Sequence, residues 1–88
     1  MDVADMRLDG NAVGGLLAEL FGIDMTAETS VCASCGVHEV VACLDVYLCA
    51  PGTVIRCRHC QAVMMRIVRS PERIWVDMSG VASVELRR

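Results

Sequence analysis

Two copies of one short motif stand in this 88-residue chain, Cys32-Ala33-Ser34-Cys35 and Cys57-Arg58-His59-Cys60, with 21 residues between them. Each C-x2-C brings two sulfurs to one side of a tight turn. Two such pairs at this separation supply the four thiolates of a tetrahedral structural zinc site, with metal–sulfur distances of about 2.3 Å. Cys32, Cys35, Cys57 and Cys60 are therefore the expected metal ligands. A closed four-sulfur shell leaves no open coordination position, so Lewis-acid chemistry at the ion is not expected. Gly36 follows the first pair and suits the turn, whereas Gln61 holds the matching place after the second.

The same four sulfurs also suit a one-electron, rubredoxin-like iron site serving an oxidoreductase. Such sites pack several aromatics, and this chain has only Phe21, Tyr47 and Trp75, so zinc is the expected ion and iron the alternative. His59 lies between Cys57 and Cys60 and His38 three residues after Cys35, but both are expected to be solvated, because the sulfur set is already complete. Cys43 and Cys49, six positions apart on one strand, would be separated by roughly 20 Å, too far for a disulfide or a shared ion. They read as small buried hydrophobes. No Ser-His-Asp set, phosphate-cradling glycine loop or paired carboxylate is legible, and the two matched cysteine pairs without a βαβ pattern argue against a redox-cycling dithiol. The chain is expected not to be an enzyme, and no small-molecule substrate is indicated.

Charge and composition narrow the partners. All eight basic residues are Arg, and the formal net charge is −3. Residues 1–30 carry −5 and residues 31–88 carry +2. Four thiolates on one divalent ion would take the total to −5. Arg56 and Arg58 flank Cys57, and Arg66, Arg69 and Arg73 gather near the next turn. Without Lys and with few aromatics, this edge favours pairing with the acidic segment or rimming a protein interface over binding nucleic acid. The chain is 55% hydrophobic with mean hydropathy +0.48, but no apolar run reaches the roughly 18 residues of a membrane span. The acidic start Met1-Asp2-Val3-Ala4-Asp5 shows no secretory signal, making the cytoplasm the expected compartment and metal the expected use of paired cysteines.

The elements that must position the knuckles follow from periodicity. Val13, Leu16, Leu17, Leu20 and Phe21 fall at helical spacing and predict an amphipathic helix over about 10–22, capped by Asp9 or Asn11 and ended by Gly22. Gly14 and Gly15 inside it each cost about 1 kcal/mol, so the helix depends on docking, on its own ribbon or in a partner's groove. Residues 24–30 read as a linker. Alternation from Val40 to Leu48 predicts one long strand with Val40, Ala42, Leu44, Val46 and Leu48 on one face. Pro51-Gly52 suits a type II turn. Returning strands are predicted at 54–56, 62–69 and 73–77, with a short one at 81–86, and Trp75 is expected to be buried beneath the helix.

Together the two knuckles and their strands resemble a zinc ribbon over residues 31–78. More closely, Leu8-Asp9-Gly10-Asn11-Ala12, Asp24-Met25-Thr26, Cys-x2-Cys-Gly, Val46-Tyr47 and Ala50-Pro51-Gly52 resemble a family of short, uncharacterised zinc-ribbon proteins of GC-rich, actinobacterial-type bacteria. That resemblance implies the same four cysteine ligands, brings no established activity, and implies an oxidoreductase as a partner. The expectation is a small α+β, metal-stapled domain. It comprises an acidic segment (1–30) carrying the helix and a zinc-ribbon β domain (31–88) of four to five antiparallel strands. Its expected role is a non-catalytic protein–protein interaction or accessory module, with a nucleic-acid-binding ribbon as a further alternative.

Overall fold

The computed structural model describes residues 7–49 and 52–86. They form a small α+β domain with two antiparallel sheets and one short helix. In chain order the elements are β1 (Arg7–Asp9), a 3-10 turn (Gly10–Val13), α1 (Gly14–Phe21), β2 (Thr29–Cys32), β3 (His38–Val40), a second 3-10 turn (Val41–Cys43), β4 (Asp45–Cys49), β5 (Gly52–Arg56), β6 (Val63–Arg69), β7 (Ile74–Asp77) and β8 (Val81–Glu85). One sheet has the order β1-β4-β5-β6-β7 and the other β3-β2-β8. Acidic residues Asp2 and Asp5, and Pro51 of the expected type II turn, lie outside the described residues, as does the side chain of Cys49.

The helix predicted over about 10–22 divides in two: the Asp9 carboxylate accepts from the Asn11 N–H at 3.0 Å and caps the 3-10 turn Gly10–Val13, whereas α1 starts only at Gly14, has no side-chain cap, and ends at Gly22 with φ +76°. A left-handed residue of this kind is the usual helix stop. Val13 and Leu17 are fully buried, Leu16 and Leu20 pack partly against the same core, and Phe21 is exposed. The helix thus docks on its own sheet. Val46, Ile55 and Met65 stand opposite one another across β4, β5 and β6 and are buried, forming the row that α1 helps to cover. Truncation of such residues typically costs about 2–5 kcal/mol, a large fraction of a small domain's stability.

The long strand predicted over 40–48 is broken. Val41–Cys43 forms the second 3-10 turn, so that Val41 in place of Val40 and Ala42 joins the core with Leu44 and Val46; Leu48, towards the end of β4, is 40% exposed. The turn's local hydrogen bond, Leu44 N–H to the Val41 carbonyl at 3.1 Å, and the bonds Val41 N–H to Glu28 and Ala42 N–H to Thr26, both at 2.9 Å, divert this backbone from the strand ladder. Residues 24–30 are likewise not all linker, because Thr29 and Ser30 already pair with Val40 and Glu39. The described residues therefore hold eight strands in place of the four or five predicted. Trp75 is also not buried: it is 52% exposed on β7, which lies at the edge of the larger sheet.

Gly80 joins the sheets. Its N–H donates to the Met64 carbonyl on β6 at 3.2 Å, and its carbonyl accepts from Ala33, inside the first knuckle, at 2.9 Å. A Cβ on Gly80 would overlap the Val63 carbonyl, and one on Gly10 would overlap the Val41 carbonyl, whereas one on Gly15 would meet nothing within 4 Å. Gly80→Ala and Gly10→Ala are each expected to destabilise by about 2 kcal/mol or more, because backbone must move to admit the methyl. Gly15→Ala should instead stabilise by about 0.5–1 kcal/mol through helix propensity. Thermal unfolding of the three variants checks this opposition of sign.

Candidate metal centre

Each cysteine pair sits at the tip of a β-hairpin, and the two hairpins belong to different sheets. β2 and β3 flank the first knuckle; β5 and β6 flank the second. The two turns share one hydrogen-bond pattern. Cys32 N–H donates to the Val37 carbonyl at 3.0 Å and Gly36 N–H to the Cys32 carbonyl at 2.9 Å; Cys57 N–H donates to Ala62 and Gln61 N–H to Cys57, both at 2.9 Å. In both, the residue after the second cysteine has a left-handed backbone, φ +75° at Gly36 and φ +63° at Gln61. That conformation turns the chain so that both sulfurs of a pair face the same point.

All four sulfurs lie within 4.8 Å of one another. The Cys32–Cys60 and Cys35–Cys57 sulfur pairs are each 3.7 Å apart. Four thiolates on one ion at about 2.3 Å define a tetrahedron with sulfur–sulfur edges of about 3.8 Å, so the donor set fits a single tetrahedral ion. Cys32 and Cys57 are buried while Cys35 and Cys60 are exposed, which opens one side of the cluster to solvent. The thiol protonation differs within the cluster. Backbone N–H groups of Cys35 and Ser34 hold Cys32 down at about 7. At Cys35 the Val37 N–H acts in the same sense, but desolvation and the sulfurs of Cys57, Cys60 and Cys32 push the thiol up to about 12. Four sulfurs this close cannot all carry charge unaided; a bound cation is what makes the fully deprotonated set favourable.

The remaining residues singled out from sequence fall around this cluster. His59 is exposed, and its Nε2 lies 3.0 Å from Glu39 Oε2; this links the second knuckle to β3 and holds the Glu39 carboxyl below its ordinary range. His38 is exposed. Cys43 is half-buried and lines an open cleft of about 760 Å³ with Asp9, Asp45, Arg58 and Gln61, so it is not the enclosed hydrophobe expected. Arg56 donates to the Gln61 carbonyl at 2.9 Å and lies 5.8 Å from the Tyr47 ring centroid. Arg69 reaches Glu19 on α1 at 3.5 Å, the kind of pairing with the acidic segment anticipated from the charge asymmetry. Both partners are exposed, so the contact contributes little.

Residues 3–88 match a family described as a family of unknown function, DUF6510. The chain belongs to that family. No curated protein and no solved structure matches it. Membership of DUF6510 therefore brings no activity, and the chemistry must be argued from the cluster itself.

Gln61 is the feature of the site that sequence undervalued. Its left-handed backbone is unfavourable for a residue with a Cβ, yet its side chain donates to Asp45 Oδ2 at 2.8 Å and to the Cys57 carbonyl at 3.2 Å and accepts from the Tyr47 hydroxyl at 3.4 Å. These bonds offset the conformational cost and tie the knuckle to β4. Gln61→Gly removes both strain and bonds and should change stability by under about 1 kcal/mol. Gln61→Ala keeps the strain and loses the bonds, so it should be the less stable of the two by about 1 kcal/mol. Chemical denaturation of the pair gives the ordering directly.

Proposed function

We propose that this DUF6510 chain is a non-catalytic zinc-binding ribbon protein, with one structural Zn²⁺ held by Cys32, Cys35, Cys57 and Cys60, and that it acts as an accessory or interaction module for protein partners. The observation that carries this reading is the four-sulfur cluster drawn from the tips of two hairpins in two sheets. A full thiolate shell suits an ion whose work is to hold those tips together, since catalysis at zinc needs a position free for water or substrate. Such sites supply folding free energy directly, which matters in a chain of 88 residues. A reducing compartment such as the cytoplasm would keep the thiols available for the ion. Exposed apolar side chains on the edge strand, Ile74, Trp75 and Val76, support a role exercised through protein contacts, for which aromatic residues are favoured anchors. An oxidoreductase is one partner consistent with this role.

Electronic absorption and voltammetry of the protein as purified separate this from electron transfer. The zinc reading expects a colourless protein without a reversible one-electron couple. Intense visible thiolate-to-iron absorption together with such a couple would replace it with an iron carrier.

A further inference from the structure

We propose that β7 pairs antiparallel with β7 of a second copy of this chain, about a two-fold axis through Trp75, joining two five-stranded sheets into one. The inference does not depend on which metal the cysteines hold. Among the described residues β7 is a sheet edge with β6 on one side only, and all four of its residues are exposed. Ile74, Trp75 and Val76 are 42%, 52% and 41% exposed. Soluble proteins normally blunt such an edge with charge, Pro, a bulge or brevity. The opposite edge, β1, does so: it has three residues, of which Arg7 and Asp9 are charged. β7 is also short, at four residues, but its apolar positions Ile74, Trp75 and Val76 carry no charge, Pro or bulge.

Backbone direction shows what the edge offers. Ser70 N–H donates to the Arg73 carbonyl at 2.8 Å, and Arg73 N–H donates to Ser70 Oγ at 3.1 Å, so Arg73 turns its backbone groups toward β6. Antiparallel strands alternate this direction residue by residue. Trp75 and Asp77, opposite Val68 and Arg66, do the same, while Ile74 and Val76 turn N–H and C=O outward. In a two-fold pairing centred on Trp75, Ile74 of each copy meets Val76 of the other, giving four interchain hydrogen bonds.

Charge selects this occupant and this register. The segment Arg73-Ile74-Trp75-Val76-Asp77 is positive at one end, negative at the other and apolar between. Pairing it with itself about Trp75 sets Arg73 against Asp77 twice and Trp75 against Trp75, all on one face. A register centred on Ile74 or Val76 instead sets Trp75 against Arg73 or Asp77 and loses both charge pairs. Opposite-charge and aromatic cross-strand pairs stabilise antiparallel pairing, and an isologous contact counts each charge pair twice. The contact is small, so the dimer is of the weak class, with dissociation on the order of micromolar.

Sedimentation equilibrium of the full chain over a concentration series tests this. Wild type should approach twice the 9.5 kDa chain mass. Arg73→Asp, which opposes two carboxylates, should weaken dimerisation about tenfold or more, and Arg73→Asp with Asp77→Arg should restore it to within about threefold. Amide exchange needs no variant: the Ile74 and Val76 N–H groups should exchange more slowly as concentration rises. A monomer at about 1 mM, a dimer indifferent to Arg73→Asp, a charge-swapped double variant no better than the single one, or Ile74 and Val76 exchange independent of concentration would each overturn the proposal.

Discussion

The structure depends on the convergence of four sulfurs at the tips of two hairpins. Mutual repulsion of thiolates 3.7 Å apart would part the tips, and a cation shared by the four sulfurs would turn that repulsion into a link between the sheets. Among the described residues, two further links join the sheets near this point. Gly80 contributes two backbone hydrogen bonds, and the Glu39–His59 contact is largely solvent-exposed. Cys32 and Cys57 are also part of the apolar core, so the cluster and the packing of α1 on the larger sheet form one cooperative unit.

How far the sequence discloses this varies with the range of the interaction involved. The paired cysteines were legible because C-x2-C has a fixed local spacing, and a short helix was legible from its apolar spacing and the Gly22 stop; its start was not, because Asp9 caps a 3-10 turn and α1 begins only at Gly14. β5 to β8 followed from runs of β-branched residues and Met bounded by turn signals. The interruption at Val41–Cys43 was not legible: residues 40–44 are all apolar, so no polar or turn residue marks it, and what breaks the strand is bonding to Glu28 and Thr26, remote in sequence. Three-residue strands such as β1 and β3 are too short to show a period.

Three further residues illustrate what single positions hide. Gly80 is required by a close approach to β6 that no local pattern announces. Gln61 looked like an ordinary departure from glycine; its left-handed backbone is held by contacts with Asp45, Tyr47 and Cys57. Trp75 was expected under the helix because a lone Trp in a small domain usually supplies core area. That area is supplied instead by Leu17, Ile55, Met64 and Ile67, and the indole is left at the sheet edge, where apolar surface is an interaction feature.

We propose that one metal ion bound by the four sulfurs holds the two sheets together. The most direct measurement is metal content by native mass spectrometry, followed by thermal unfolding of the same sample before and after chelation. One ion per chain is expected, with loss of cooperative unfolding once it is removed. A chain that carries no stoichiometric metal, and unfolds cooperatively at an unchanged temperature after chelation, would contradict it.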